Sequence, residues 1–380
     1  KLRVAIVSRV IFHYRVGIYD RLAKEWNLMV FHGKSVPKSK VVNAPPPYPF
    51  KEKTLFTICK RAKNNPMQIL YFNPGCVFAL LRWKPDFIIL EGSNNMLNNI
   101  FIFFYCKLFS KKYLWWGIGQ VPGRKDSIYR KMLTPARKFI IRHAACCLAY
   151  CNLSAEYFRT ITDSLKIKVI PNSIDNEAVE REIEQIKEAD KAVLRENLGI
   201  SEDSIILLFV GALEANKRLD VFLETIGILN QRGRKVYALI IGSGNAEADY
   251  RKAAERLSLK NCKFLGQIVK GVNIYFQIAD IFILPGRGGL AINQALVNGL
   301  PVICNTPADG TELDMIENKK NGLLIESMSV PKLTEAIEYI MQNKRYVEMG
   351  RNAIEVVKKK YNINVMTDIF RKVMDDLSMA

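Results

Sequence analysis

LPGRGGLAINQALVNGLPVIC, residues 284–304, decides how this chain folds. An apolar run from Ile281 to Leu284 enters a Pro-Gly-Arg-Gly-Gly loop, an apolar helix follows from about Leu290, and Asn298-Gly299 precedes a second apolar strand. Strand, glycine loop, helix and strand form the repeating unit of a parallel α/β sheet. Glycines ahead of a helix let its free N–H groups approach a ligand closely, and the helix dipole favours negative charge there. The stretch reads as a phosphate cradle, and equally as the plain strand–loop–helix of any α/β protein until its surroundings are read.

Those surroundings repeat the pattern. Upstream lie IILLFVG, a helix from Leu219 to Arg232, YALIIGSG, a helix to Leu257, CKFLGQI and ADIFILPG. The first half alternates RVAIVS, a helix from Gly17 to Lys24, LMVFHG, KPDFIILEG, an apolar segment from Met96 to Phe109, KYLWWGIG, a basic helix and CCLAYC. Two Rossmann-like α/β domains are expected, over 1–165 and 166–362. The hinge is placed near 165–175, where Pro171-Asn172 ends a strand and a charged helical connector begins. A Pro- and Lys-rich segment between Val36 and Pro66 reads as a long exposed loop. The last helix, in 363–380, is amphipathic enough to pack back on the N-terminal domain.

Composition narrows the class. A chain of 380 residues, 49% hydrophobic and 24% charged, can bury sizeable cores. Its most apolar run, Asn99 to Phe109, is short of the ~20 residues that span a bilayer. The sequence enters a strand at once with no leader pattern, which reads as cytoplasmic. Eight cysteines and three histidines lack disulfide or metal spacing, so reduced buried thiols and no metal are expected. The net charge of +19 is one-sided: residues 1–165 hold 27 Lys/Arg against 8 Asp/Glu, and residues 166–380 hold 29 of each. Such asymmetry aims the first half at a polyanion or an anionic membrane surface. No helix-turn-helix, zinc-finger or RNA-recognition signature accompanies it, so no nucleic-acid partner is expected.

Seven segments in order, VIPNSID (169–175), FVGALEANKRLD (209–220), LIIGSG (239–244), FLGQI (264–268), ADIFILPG (279–286), ALVNGLPVI (295–303) and TELDMIENKKNGLLIE (311–326), resemble the family-4 retaining glycosyltransferases of the GT-B fold. The resemblance implies two Rossmann-like domains facing an interdomain cleft and a nucleoside-diphosphate sugar as donor substrate, with no other cofactor. Lys217 falls on the lysine that neutralises the donor diphosphate. A positioned ammonium there stabilises the charge that builds on the leaving group, without a metal. The usual arginine is Ala212 and the usual glycine is Arg218, so Arg218 is a candidate for the second charge. Gly211, Asn172, Gln267 and Ile268 are the further donor-binding candidates, the last two beside the base. Transfer with retention is implied, by front-face attack in which the leaving phosphate helps to take the acceptor's proton.

Two departures mark the donor site. The family carries two glutamates with seven residues between them; here those positions are Gly286 and Gln294. A glutamine amide still bonds ribose hydroxyls, whereas Gly286 replaces no carboxylate. Backbone N–H groups of Gly286, Arg287, Gly288, Gly289 and Leu290 are left to bind sugar and phosphate, with Arg287 as an added cation. Where many relatives carry a histidine after the strand YLWWGIG, this chain has Gly117-Ile118-Gly119. Glu312 is the remaining carboxylate candidate, with Asp309 and Asp314 as neighbours. A non-catalytic GT-B homologue that binds sugar nucleotide or a partner enzyme is the alternative.

The charge excess suggests the acceptor. Arg124, Lys125, Arg130, Lys131, Arg137, Lys138 and Arg142 alternate with Met132, Leu133, Phe139, Ile140 and Ile141 in one basic amphipathic helix that can lie on an anionic bilayer. Lys51, Lys53, Lys60, Arg61 and Lys63 extend the patch, and Arg15 is placed near phosphate or acceptor. These features favour a lipid-linked saccharide or lipopolysaccharide acceptor at the inner face of a bacterial cytoplasmic membrane.

Overall fold

In a computed structural model, residues 1–36, 42–62, 65–92, 95–121, 128–306 and 310–379 are described. The chain divides into two compact units, Lys1–Asn172 with Ile363–Ala380, and Ser173–Asn362. Each is built on its own parallel sheet.

In the first unit, β1 (Arg3–Val7), β2 (Asn27–Gly33), β3 (Lys51–Leu55), β6 (Phe87–Glu91), β7 (Lys112–Gly117), β8 (Cys146–Ala149) and β9 (Ile167–Val169) form a sheet of order β3-β2-β1-β6-β7-β8-β9; β4 (Ile58–Ala62) and β5 (Asn65–Phe72) form a separate antiparallel pair. Successive side chains of a strand point to opposite faces, and the adjacent tryptophans of β7 show what that does. Trp115 joins Ala5, Ile88 and Cys147 under the helices Cys76–Trp83, Met96–Leu108 and Thr134–Arg142. Trp116 faces the other way, among Ile6, Ile89 and Leu148, where the helices His13–Glu25 and Ile363–Met379 close the core. Phe370 of the last helix meets Trp116 edge-on at 5.1 Å. The C-terminal helix is thus an integral layer of the N-terminal unit. Burial also pushes the thiols of Cys76, Cys106, Cys146 and Cys147 up to about 12, which keeps them protonated.

The second half of the segment expected to be one long loop is strand: β3 pairs in parallel with β2, and β4 begins three residues later. The misreading has a physical cause. β3 is an edge strand of sequence KEKTL whose first four residues are exposed, so it carries no apolar run and displays the charge that protects an edge.

In the second unit, β10 (Ile205–Val210), β11 (Val236–Ile241), β12 (Cys262–Gly266), β13 (Ile281–Leu284), β14 (Val302–Thr306) and β15 (Gly322–Glu326) are ordered β12-β11-β10-β13-β14-β15. The central strands are buried on both faces, which is why they read as unbroken apolar runs. The charged connector forms the helices Asn176–Gln185 and Glu188–Leu198, the first capped by the Asp175 carboxylate accepting from Ala178 N–H at 3.2 Å. Among the described residues, no helix is long and apolar enough to cross a membrane.

Phe370→Ala should destabilise the first unit by about 3–5 kcal/mol, the usual cost of emptying a buried phenylalanine site. Urea unfolding followed by Trp fluorescence measures it, and an unchanged midpoint would show that the last helix is not part of that core.

Candidate functional site

The second sheet reverses direction between β10 and β13: from β10 the chain winds outward through β11 and β12, and from β13 through β14 and β15. Ligands of open α/β sheets bind beyond the strand C-termini at such a reversal. The loops that meet there follow β10 (Gly211–Arg218) and β13 (Pro285–Leu290), and they are laced together. Arg287 N–H donates to Asn216 O at 3.1 Å. Lys217 Nζ donates to Arg287 O at 2.5 Å and to Gly288 O at 3.2 Å. A Cβ on Gly286 would lie 2.2 Å from Asn216 O and 2.5 Å from Lys217 Cα. The position is glycine because two backbones touch. Sequence comparison put a missing carboxylate there, but the structure has no room for any side chain.

Beyond the lacing, the loop opens. Gly289 has φ +150°, and the helix Ala291–Val297 starts two residues later. Among the described residues, the N–H groups of Gly288, Gly289 and Leu290 find no acceptor. Three consecutive free amides beside an ammonium make an anion-binding surface. The helix is only seven residues long, so its dipole adds less than the sequence suggested, and the lysine and free amides carry the case.

The neighbouring loops complete the edge. Gly211 N–H donates to Ile241 O at 3.0 Å, and Gly242, at φ +138°, sits so close that a Cβ would fall 1.8 Å from Gly211 O. Gln267 is exposed just past β12, with Ser243 Oγ donating to its Oε1 at 3.4 Å; Ile268 beside it is half-buried. Lys217, Gly211, Gln267, Ile268 and the Gly286–Leu290 loop therefore share the C-terminal edge of one sheet.

Other candidates stand elsewhere or differently. Arg218 is exposed, in the left-handed region at φ +53°, and its Nε donates to Asp220 at 3.3 Å. Gln294 is half-buried, and its amide donates to Asn273 Oδ1 at 3.0 Å, which ties it to the helix Asn273–Ile278. Glu312 is fully buried, and Gly310 N–H donates to its Oε2 at 3.0 Å, so one of its oxygens is engaged within its own turn. Asn172 is assigned to the first unit, where its Oδ1 is enclosed without a hydrogen-bond partner.

The basic helix is corrected as well. It is two pieces, Ile128–Met132 and Thr134–Arg142, and it does not present one cationic face. Lys131 and Lys138 are exposed and Arg130 is half-buried, but Arg137 is turned inward with Nη2 donating to Tyr157 OH at 3.4 Å. Its long stem continues the apolar face of the helix, which period counting scored as charged. Arg15 likewise touches no surface: it is 1% exposed, its guanidinium lies 3.9 Å over Trp116, and Nη2 donates to Tyr150 OH at 2.7 Å. Arg124, Lys125, Lys63, Asp309 and the Arg61 side chain lie outside the described residues.

Sequence reading missed a second reversal, between β1 and β6 of the first sheet. There Glu91, buried at the end of β6, accepts from Ser8 Oγ at 3.0 Å and from Arg9 N–H at 3.3 Å. Burial lowers the pKa of the Arg9 guanidinium, with Glu91 opposing that shift. A lone carboxylate ending the apolar run FIILE was the available signal.

Residues 190–358 match the family model described as glycosyl transferases group 1. The alpha-D-kanosaminyltransferase of Streptomyces kanamyceticus is 25% identical over 195 residues, 49% of this chain and 50% of that protein. A GDP-mannose-dependent monoacylated alpha-(1-6)-phosphatidylinositol monomannoside mannosyltransferase of Corynebacterium glutamicum is 28% identical over 189 residues, 47% of this chain and 49% of that one. The chain thus spans about half the length of the curated relatives it matches. The structure of Anabaena HepE in complex with UDP-glucose superposes with a TM-score of 0.74 over 100% of both chains at 15% identity. The fold is GT-B, and the stretch that matches the group 1 model lies within the second unit.

Gly286→Ala should force the Asn216–Lys217 backbone away, at about 1–3 kcal/mol of overpacking. A lowered melting temperature with nucleoside-diphosphate affinity reduced about tenfold is expected by thermal shift and calorimetry. Unchanged values for both would mean that the close approach constrains nothing.

Proposed function

We propose that this protein moves a sugar from a nucleoside-diphosphate sugar to a lipid-linked saccharide or lipopolysaccharide acceptor, with retention of configuration, at an anionic membrane surface. The observation that carries the reading is the position of Lys217 at the reversal of the second sheet, its ammonium beside three free amides. A diphosphate brought there exchanges the two loop carbonyls for phosphate oxygens as partners of the ammonium. The charge released as the glycosidic C–O bond breaks then meets a cation and oriented N–H groups already in place, which lowers the barrier without solvent reorganisation. No carboxylate can stand at Gly286, so sugar contacts in that place come from backbone. The front-face course fits this, with the departing phosphate oxygen taking the acceptor proton as the acceptor oxygen attacks the same face. The cation assigned to the leaving group is the lysine, which makes the reaction metal-independent. Support for the acceptor comes from the cationic first unit and from a relative whose name describes a mannosyltransferase acting on a phosphatidylinositol mannoside.

Gly286 and the Gly117-Ile118-Gly119 turn favour one other reading, a GT-B protein that binds sugar nucleotide without transferring it. A thermal-shift panel of UDP, GDP, ADP and their sugars, followed by assays for transfer and donor hydrolysis, separates the two. Tight binding with neither reaction would establish the second reading and end the first. Lys217→Ala should lower kcat by about 10²–10³-fold, the usual effect of removing one charge-stabilising donor, and leave the melting temperature unchanged. Full activity in that variant would remove Lys217 from the site.

A further inference from the structure

We infer that the first unit docks on an anionic bilayer by inserting the outer faces of the helices Cys76–Trp83 and Met96–Leu108, rather than by laying the basic segment Arg124–Arg142 along the surface. The inference deepens the proposed function by naming the surface that meets the membrane, and it rests on that reading only for the acceptor.

Apart from the buried Asn98 and Asn99 and from Lys107 in its last turn, the helix Met96–Leu108 is apolar on its inner and outer faces alike. Met96, Ile102, Phe103, Tyr105 and Cys106 are buried in the core, yet Phe104 and Leu108 on its outer face are 63% and 77% exposed. A helix with that pattern at the surface of a water-soluble domain leaves its second face without a partner. Phe78 of the adjacent helix is 69% exposed, and Phe101, 51% exposed, meets Phe72 at 5.5 Å. An apolar groove of about 430 Å³ runs between the two helices, lined by Phe72, Val77, Leu81, Phe101, Phe104 and Leu108. On the other side, Phe139 of the helix Thr134–Arg142 packs on Phe103 at 5.5 Å and is itself half exposed. Among the described residues, every exposed phenylalanine lies in the first unit; the exposed large apolar side chains of the second are aliphatic and scattered along its sequence.

Charge selects the occupant. The four helices Cys76–Trp83, Met96–Leu108, Ile128–Met132 and Thr134–Arg142 contain no aspartate or glutamate, while Arg82, Lys107, Lys131, Lys138 and Arg142 are exposed on them. A second copy of this chain would set cations against cations. A nucleic acid would engage the lysines and leave the phenylalanine face in water. An anionic bilayer answers both features, because acyl chains take the aromatic and leucine side chains while lipid phosphates meet the surrounding ammonium and guanidinium groups. Lys131 and Lys138 are then flanking contacts, and Arg82 and Lys107, in the last turns of the two inserted helices, meet lipid phosphates beside the inserted Leu81 and Leu108.

The test is co-sedimentation of the whole chain with vesicles of phosphatidylcholine and phosphatidylglycerol, and of phosphatidylcholine alone, at 0.1 and 0.5 M NaCl. Binding to the anionic vesicles should weaken with salt but persist. Phe104→Ser with Leu108→Ser should weaken it at least tenfold at low salt and abolish it at 0.5 M, while Lys131→Glu with Lys138→Glu should remove mainly the salt-sensitive part. Both double variants keep the core, so their thermal shift with nucleoside diphosphates should match the parent. Wild-type binding by the serine variant, no binding by the parent, or a dimer in gel filtration that the serine variant dissolves would each overturn the inference. Donor and acceptor are absent from the assay, so its failure leaves the transfer reading standing, and loss of transfer activity leaves this one standing.

Discussion

The contact between the backbones of Gly286 and Asn216–Lys217 is the constraint around which the C-terminal edge of the second sheet is arranged. It brings the loops after two adjacent parallel strands within hydrogen-bonding distance, and a single added carbon would separate them. Everything proposed for the site depends on that distance: the ammonium of Lys217 reaches the loop carbonyls only because the loops touch, and the amides of Gly288 to Leu290 remain unpaired because the loop spends its other contacts on holding its neighbour. The glycine that looks like a loss in a comparison of sequences is, in space, the condition for the lysine's placement.

Most of the second unit was legible in the sequence, and the reason is burial. Strands covered on both faces must be apolar throughout, so β10, β11, β13 and β14 announce themselves as runs, and Gly242 and Gly286, after β11 and β13, mark close backbone approaches. Edge strands carry no such requirement. KEKTL pairs through its main chain while its first four side chains are exposed, and no pattern of hydrophobicity can report a strand whose identity lies in its hydrogen bonds.

The site was legible by class of residue but not by role. Lys217 stood out because it falls on the lysine of a phosphate-binding motif, and it lies where the second sheet reverses. Glu312 shows why: a carboxylate near a glycine turn can serve a ligand or the turn itself, and its burial and its bond from Gly310 N–H are not written in the sequence. Arg15 and Arg137 failed for a related reason: a guanidinium on a long stem can end in water or against a ring, and the sequence is the same in both cases. The apolar outer face of Met96–Leu108 was hidden differently, since its residues read correctly as apolar and were simply assumed to be inside.

Arg15 stacked on Trp116 has a consequence for how the first unit carries its charge. Surface lysines lose most of their reach as ionic strength rises, because mobile ions screen exposed charges beyond about 8 Å at physiological salt. A guanidinium sealed between aromatic rings lets no counterion near and keeps its proton at any physiological pH. The unit therefore has two electrostatic components, a skin that the medium can dim and an internal charge that it cannot.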